Sequence, residues 1–397
     1  MRRWLGLLGL VACGTTAPVA EAPDCSRIEV LELPPPVAEA TGVWDDARRR
    51  LVFWGGDIGA PVQCQSQTAF TGETWAWYPD CDAFAQLDVA GPEARGRQAL
   101  AHDLAGGRMI IHGGRTRPGT SGAYSQFDDT WALDLTTESW TRLSESGPGA
   151  RVNHALGVSG DRLVLFGGNN STDGASYAPL GDVWTMDLST GQWDPWQTSN
   201  TPSARLFHGY AMSEDGGTFW IYGGTADFFG PFLGDLHALD VASGTWTELH
   251  SGADGLAPAP RFWPNLVHDA AGGRLLLWAG HDDTSLGNTS ELWSFDLATN
   301  RWSALELGDI LSGQANGFCD FPADFVTPNL ASPERRHGGM AAWTGDTLRV
   351  FGGESDCGIL NDVWSWTDNG GWLNESRSTA GEICERISAG SCETLCF

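Results

Sequence analysis

One phrase governs what this chain can fold into. An apolar run that stops on a glycine pair, such as RLVLFGGNN at residues 162 to 170, returns at Gly55-Gly56, Gly113-Gly114, Gly167-Gly168, Gly223-Gly224, Ala279-Gly280 and Gly352-Gly353. The first five lie 54 to 58 residues apart, and an insertion stretches the last gap. A variable loop follows each pair, then DTWALDL, DVWTMDL, DLHALDV, ELWSFDL or DVWSWTD, then a turn and a tryptophan strand such as SWTRL, TWTEL or RWSAL. A period near 50 with this content is one four-stranded unit, which cannot bury both faces alone. Six such units stacked around an axis can.

Composition agrees. With 52 Gly, 20 Trp and 17 Phe against 5 Met, the chain reads as turn-rich, all-β and packed through aromatic rings. Its 397 residues exceed one ordinary core, which a modular architecture accommodates. The net charge of -27 repels nucleic acid and anionic lipid, leaving basic proteins, cations or neutral glycans as compatible partners.

The combination of Arg-x-x-His, apolar strand, Gly-Gly, loop, Asp-x-Trp-x-Leu-Asp, turn and Trp-x-x-Leu resembles the kelch repeat over about residues 28 to 375. The resemblance implies a six-bladed β-propeller, like the central domain of galactose oxidase, with four antiparallel strands (a to d) per blade. The glycines then let strand b leave the sheet where blades crowd the axis. Trp75, Trp131, Trp184, Trp293 and Trp364 fall on strand c, and Trp140, Trp193, Trp246, Trp302 and Trp372 on strand d, as packing between blades. Arg151 with His154, Arg205 with His208, and the looser Arg95, Arg261 and Arg335 with His337 recur and are read as structural. Ala279 suggests a slightly altered turn in an intact blade five. Residues 28 to 33, IEVLEL, read as a strand that joins the last blade and closes the ring, since an open ring leaves unpaired edges.

The organisation expected is a signal peptide over 1-12, a tether over 13-24, the propeller over 25-376 and a cysteine-rich tail, 377-397, packed on the closure seam. Two arginines, a short apolar segment and Leu10-Val11-Ala12-Cys13 resemble a bacterial lipobox, with Cys13 lipidated; an ordinary secretory signal cut near Ala20 is the alternative. Eight cysteines remain: Cys25, Cys64, Cys81, Cys319, Cys357, Cys384, Cys392 and Cys396. An even number suits disulfides in an oxidising compartment. Cys25 is expected to pair with Cys384, Cys392 or Cys396, Cys319 with Cys357, and Cys64 with Cys81 by elimination.

Function should sit where the repeat varies. The residue after each glycine pair is Asp57, Arg115, Asn169, Thr225, His281 or Glu354, six different polar side chains at one position and a candidate ligand-binding rim. Asn170, Asp173, Asp227, Asp282, Asp283 and Asp356 make it acidic; Phe207, Phe228, Phe262 and Trp263 add aromatic surface. The insertion from Glu306 to Glu334, with Phe318, Phe321 and Phe325, is a candidate lid or docking loop. A copper oxidase needs convergent imidazole or phenolate ligands, and only His281 is well placed, so neither a metal nor a cofactor is expected. HDDTSLGN and NNSTDG offer oxygen ligands in turns, but neither matches an EF-hand, and Asx turns explain them. No hydrolase, phosphate-loop or zinc-protease motif is present. The reading is an envelope-tethered, monomeric binding module of the bacterial cell envelope, lipid-anchored or secreted. It takes a protein or glycan at its loop-rich face, has no catalytic residue and meets a membrane only through its anchor. The competing reading is a carbohydrate-active enzyme, resembling a sialic-acid mutarotase or, less so, a copper oxidase, and using Glu354, Arg115 and His281.

Overall fold

Within each repeat the most apolar segment becomes strand b, because a strand wedged between two blades is buried on both faces. Arg50–Trp54 is buried throughout, as are Leu163 to Phe166. The computed structural model describes residues 23–28, 33–59, 67–173, 176–227, 230–252, 255–282, 287–311, 326–355 and 358–379. Six four-stranded antiparallel sheets follow one another along the chain. Blade one comprises Thr41–Asp45, Arg50–Trp54, Thr74–Tyr78 and Ala83–Leu87; blade two Ala99–Asp103, Arg108–His112, Thr130–Asp134 and Ser139–Ser144. Blade three comprises Ala155–Ser159, Arg162–Asn169, Pro179–Asp187 and Trp193–Pro195; blade four Gly209–Met212, Thr218–Thr225, Phe232–Asp240 and Thr245–His250. Blade five comprises Asn265–Asp269, Arg274–Trp278, Leu292–Asp296 and Arg301–Glu306; blade six Met340–Trp343, Leu348–Ser355, Gly358–Thr367 and Gly371–Ser376.

The blades taper outward, and residue size follows the taper. Strand a, innermost, touches strand a of both neighbours and is rich in small residues. A Cβ on Gly42 would lie 2.8 Å from Met340 Sδ of blade six, and one on Gly157 2.5 Å from Met212 Cε of blade four. Strand d, outermost, has room for indoles that lie on the preceding blade. Trp140 meets Trp54 at 5.4 Å, Trp193 meets His112 at 5.0 Å, Trp246 meets Phe166 at 5.2 Å, Trp302 meets Tyr222 at 5.4 Å and Trp372 meets Trp278 at 6.0 Å. Each ring buries about 200 Å², so these five form much of the mortar between blades.

The glycine pair makes the joint between one blade and the next. The second glycine donates its N–H to a carbonyl leading into the following blade: Gly56 to Arg95, Gly114 to Arg151, Gly168 to Arg205, Gly224 to Arg261 and Gly280 to Arg336, at 2.8 to 3.0 Å. Gly353 makes the same bond to Val37, 2.8 Å. These residues need φ between 92° and 109°, and a Cβ on Gly168 would stand 2.8 Å from the Val152 carbonyl. The ring therefore closes by the joint used everywhere else. Phe53 and Phe351 pack across the seam at 4.4 Å.

Several expectations are corrected. Among the described residues, blade six consists of its own four strands; the expected closing strand, 28–33, falls mostly on residues 29–32, which lie outside the described residues. Cys25 pairs with Cys81, not with a C-terminal cysteine, and so Cys64 is not the partner of Cys81. The reason is that the short 3-10 turn Cys25–Arg27 lies beside the c–d turn of blade one, Pro79–Cys81. Cys13, Cys64, Cys319, Cys357, Cys384, Cys392 and Cys396 lie outside the described residues, as do Asp283, Asp356, Phe228, Phe318, Phe321 and Phe325. The repeated arginine of blade six is Arg336, not Arg335. Of the tail, Ser378 and Thr379 bond Asn361, whose side-chain amide also donates to the Pro34 carbonyl at 2.7 Å. Ala279 keeps the left-handed turn, φ 61°, and its blade is intact.

Candidate functional site

A repeated clamp positions the mouth of the channel. Arg95, Arg151, Arg205, Arg261 and Arg336, all essentially buried, each donate to the carbonyl of the first residue of a glycine pair, at 3.0 to 3.3 Å. Each also pairs with a carboxylate at the head of strand c: Asp129, Asp182, Asp235, Glu291 and Asp362. The strand-c indoles Trp131, Trp184, Trp293 and Trp364 donate to the same carboxylates, and His237 takes that place in blade four. Recurrence here means scaffold, as the sequence implied.

Two residues beyond each arginine the chain turns left-handed. The positions are Arg97, Asn153, Phe207, Trp263 and Gly338, with Glu39 in blade one, all at φ between 56° and 61°. Their main chains link around the axis: Asn153 N–H to Arg97 O (3.2 Å), Phe207 to Asn153 (3.1 Å), Trp263 to Phe207 (2.6 Å), Glu39 to Gly338 (2.8 Å) and Arg97 to Glu39 (3.4 Å). This annulus presents six different residues at one geometric position.

Its two halves differ chemically. On one side Tyr177, Phe207, Phe232, Phe262 and Trp263 form an aromatic crescent, with Phe207 4.6 Å from Trp263 and 5.4 Å from Phe262. On the other side Glu39, Asp57 and Glu354 face Arg97 and Arg115. Arg97 spans the halves: its Nε donates to Glu39 Oε1 at 2.6 Å, and its guanidinium lies 5.1 Å from the Phe207 ring and 4.9 Å from the Trp263 ring. Arg115 reaches the same oxygen at 3.4 Å and stacks on Tyr124. Burial pushes Glu39 up, but the two arginines outweigh it and hold its pKa below the usual range. Burial, then Glu39, raises Asp57 to about 6. Burial, then Glu39 and Asp57, raises Glu354 to about 7. Beneath the annulus lies an axial cavity of about 160 Å³ that reaches down to Tyr210.

The rim expected from sequence forms a second ring behind the annulus. Asp57, Arg115, Asn169, Thr225, His281 and Glu354 each bridge the residue just before a left-handed one, in the order Ala38, Gly96, Val152, Leu206, Phe262 and His337. All but Glu354 are buried. Asp57 Oδ1 accepts from the Gly59 and Ala69 amides, and Asn169 Oδ1 from Ser171 and Ala178. Asn170 and Asp227 are exposed, while Asp282 is buried. His281 and His337 both contact Asn288 Oδ1 at 2.8 Å, and their rings lie 5.2 Å apart. Among the described residues no group of three His, Cys, Asp or Glu is placed to hold a metal ion. Sequence reading named Phe207 and Trp263 only as added surface and missed Glu39, Arg97 and Asn153. The available signal was a fixed offset of two from the repeated arginine.

The family profile of the KLHDC2/KLHL20/DRC7 Kelch-repeats domain matches residues 23–199 and 153–319. Tip elongation aberrant protein 3 of Schizosaccharomyces pombe is 29% identical over 226 residues, 49% of this chain and 19% of that protein. Human Kelch domain-containing protein 10 is 24% identical over 185 residues, 46% of this chain and 40% of that protein. Bovine Kelch domain-containing protein 3 is 26% identical over 299 residues, 68% of this chain and 67% of that protein. The chain thus spans less than half the length of the first two. These relatives are eukaryotic, and none is a galactose oxidase by name, so the lipoprotein and copper-oxidase resemblances draw no support from them.

Proposed function

Because the chain belongs to the KLHDC2/KLHL20/DRC7 Kelch-repeats domain family, whose propellers generally bind protein partners, we propose that it captures a protein at the annular mouth and makes or breaks no bond. One observation carries this reading. The frame repeats from blade to blade, yet the six left-handed positions at the mouth carry Glu39, Arg97, Asn153, Phe207, Trp263 and Gly338. A surface that differs at every equivalent position on a rigid scaffold is suited to recognition. The aromatic crescent supplies anchors and the charged half supplies orientation.

The proposal extends to an oxidising compartment, and to lipidation at Cys13 in the bacterial cell envelope. The Cys25–Cys81 disulfide supports the compartment. It also fixes the N-terminal segment at a c–d turn, the end of the channel opposite the mouth, so a tether would leave the mouth facing outward. Photo-crosslinking tests the binding face: benzoylphenylalanine in place of Phe232 should trap a protein, and in place of Gln192, in a c–d turn, should trap none. Trapping from Gln192 alone would refute the assignment. Palmitate labelling that persists in Cys13→Ser would refute the anchor.

A further inference from the structure

Deepening the protein-binding reading and resting on it, we propose that the mouth receives a lysine or arginine side chain of the partner, paired with the Glu354 carboxylate beside the Trp263 indole. Three observations lead there.

Among the described residues the Glu354 carboxylate has an imidazole, and no Lys or Arg, within ion-pair distance. Its side chain is 21% exposed, and the imidazole Nε2, of His337, lies 3.7 Å from it. Burial, then His281 and Arg97, keeps that imidazole's pKa well below its ordinary value and so neutral. Glu39 and Asp57 repel Glu354, while Arg97 and His281 attract it. Arg97 is already committed to Glu39 and to two rings. A carboxylate partly withdrawn from water with no cation of its own is costly to keep ionised, and a cation brought by a partner offsets that cost.

The cavity below the annulus independently holds unpaired acceptors, alongside the unpaired Asn153 Nδ2 and the ring nitrogens of His154 and His208. Glu39 and Gln98, 8% and 5% exposed, both line it, and Glu39 Oε2 and Gln98 Oε1 are buried without a hydrogen-bond partner. Gln98 Nε2 is already used by Thr41 Oγ1, which leaves its oxygen as the free end. Both atoms are acceptors, and ammonium and guanidinium groups carry donors only.

The mouth already holds one such group. Arg97 lies on Phe207 and Trp263 while bonded to a carboxylate, the same pairing of aromatic face and anion that a guest would meet. The His337 ring, 5.4 Å from Trp263, carries this aromatic surface to Glu354. A neutral glycan would leave Glu354 unpaired, and the net charge of -27 steers basic partners inward.

The test is a random-peptide display library panned on the disulfide-intact chain and on Glu354→Gln. Trp263→Asn marks mouth dependence, since Asn153 adopts the same left-handed conformation in blade three. Mouth-dependent peptides should share a Lys or Arg and weaken about tenfold on Glu354→Gln. On the unaltered chain their affinity should rise between about pH 6 and about pH 8, as Glu354 ionises, independently of how any variant folds. Mouth-dependent peptides without a basic residue, or basic peptides that bind Glu354→Gln equally, would overturn the inference and leave the protein-binding reading standing. A library with no mouth-dependent peptide would overturn both.

Discussion

The phenolic oxygen of Tyr210 in blade four accepts the Leu100 N–H of blade two at 2.8 Å and donates to the Leu100 carbonyl at 3.2 Å. Both lie on innermost strands, so the contact crosses the propeller axis. It divides the channel into the cavity under the mouth and a wider one of about 460 Å³ toward the other end. Tyr210→Phe keeps the ring and strands two main-chain groups. We expect a loss of about 1 to 3 kcal/mol by urea unfolding with unchanged slope; an unchanged midpoint would show the bond to be dispensable.

Ala279 occupies a left-handed position, φ 61°, where the other five blades have glycine. An L side chain there costs about 1 kcal/mol or slightly more. Ala279→Gly should stabilise by about that amount, less the entropy glycine adds to the unfolded chain. A fall in the urea midpoint would mean that the alanine methyl contributes more through packing than it costs through strain.

Arg336 and Asp362 are both fully buried, whereas Arg49 and Asp80 pair in the open, with side chains 44% and 30% exposed. Arg336→Met leaves a buried carboxylate short of its cation and should cost about 3 to 5 kcal/mol. Arg49→Met should cost less than about 1 kcal/mol. Equal losses in calorimetry would contradict the view of the arginine clamp as the core of each blade joint.

Two sets of groups pull stability in opposite directions with pH. Burial, followed by nearby arginines, lowers His112 and His208 to about 3, so the unfolded chain takes up their protons first and stability falls as pH drops below about 6.5. Glu354, raised to about 7, ionises more readily when unfolded, so stability falls as pH rises from about 4.5 to about 7. Glu354→Gln should therefore exceed the parent in urea midpoint at about pH 8, with the gap closing by about pH 4.5. A gap independent of pH would remove the Glu354 assignment.

Legibility in the sequence followed repetition. The glycine pairs, strand tryptophans and repeated arginines recur, and each proved to be frame, although the arginines grip carboxylates of strand c and not the histidines they recur with. The closing joint was hidden because Val37 stands where five blades carry arginine, although the bond from Gly353 uses only its carbonyl. The annulus was hidden because Phe207 and Trp263 are residue types rarely found at positive φ. Cys81 was correctly placed on a c–d turn, but its partner depended on where the N-terminal segment runs, which no local pattern records.

Hydrogen exchange on the chain with and without a crosslink-identified partner tests the location of binding most directly. Protection is expected at the six left-handed turns, from Glu39 and Arg97 through Phe207 to Trp263 and Gly338. Protection confined to the c–d turns at Asp134, Asp187, Asp240 and Asp296 would place the partner on the opposite end and contradict it.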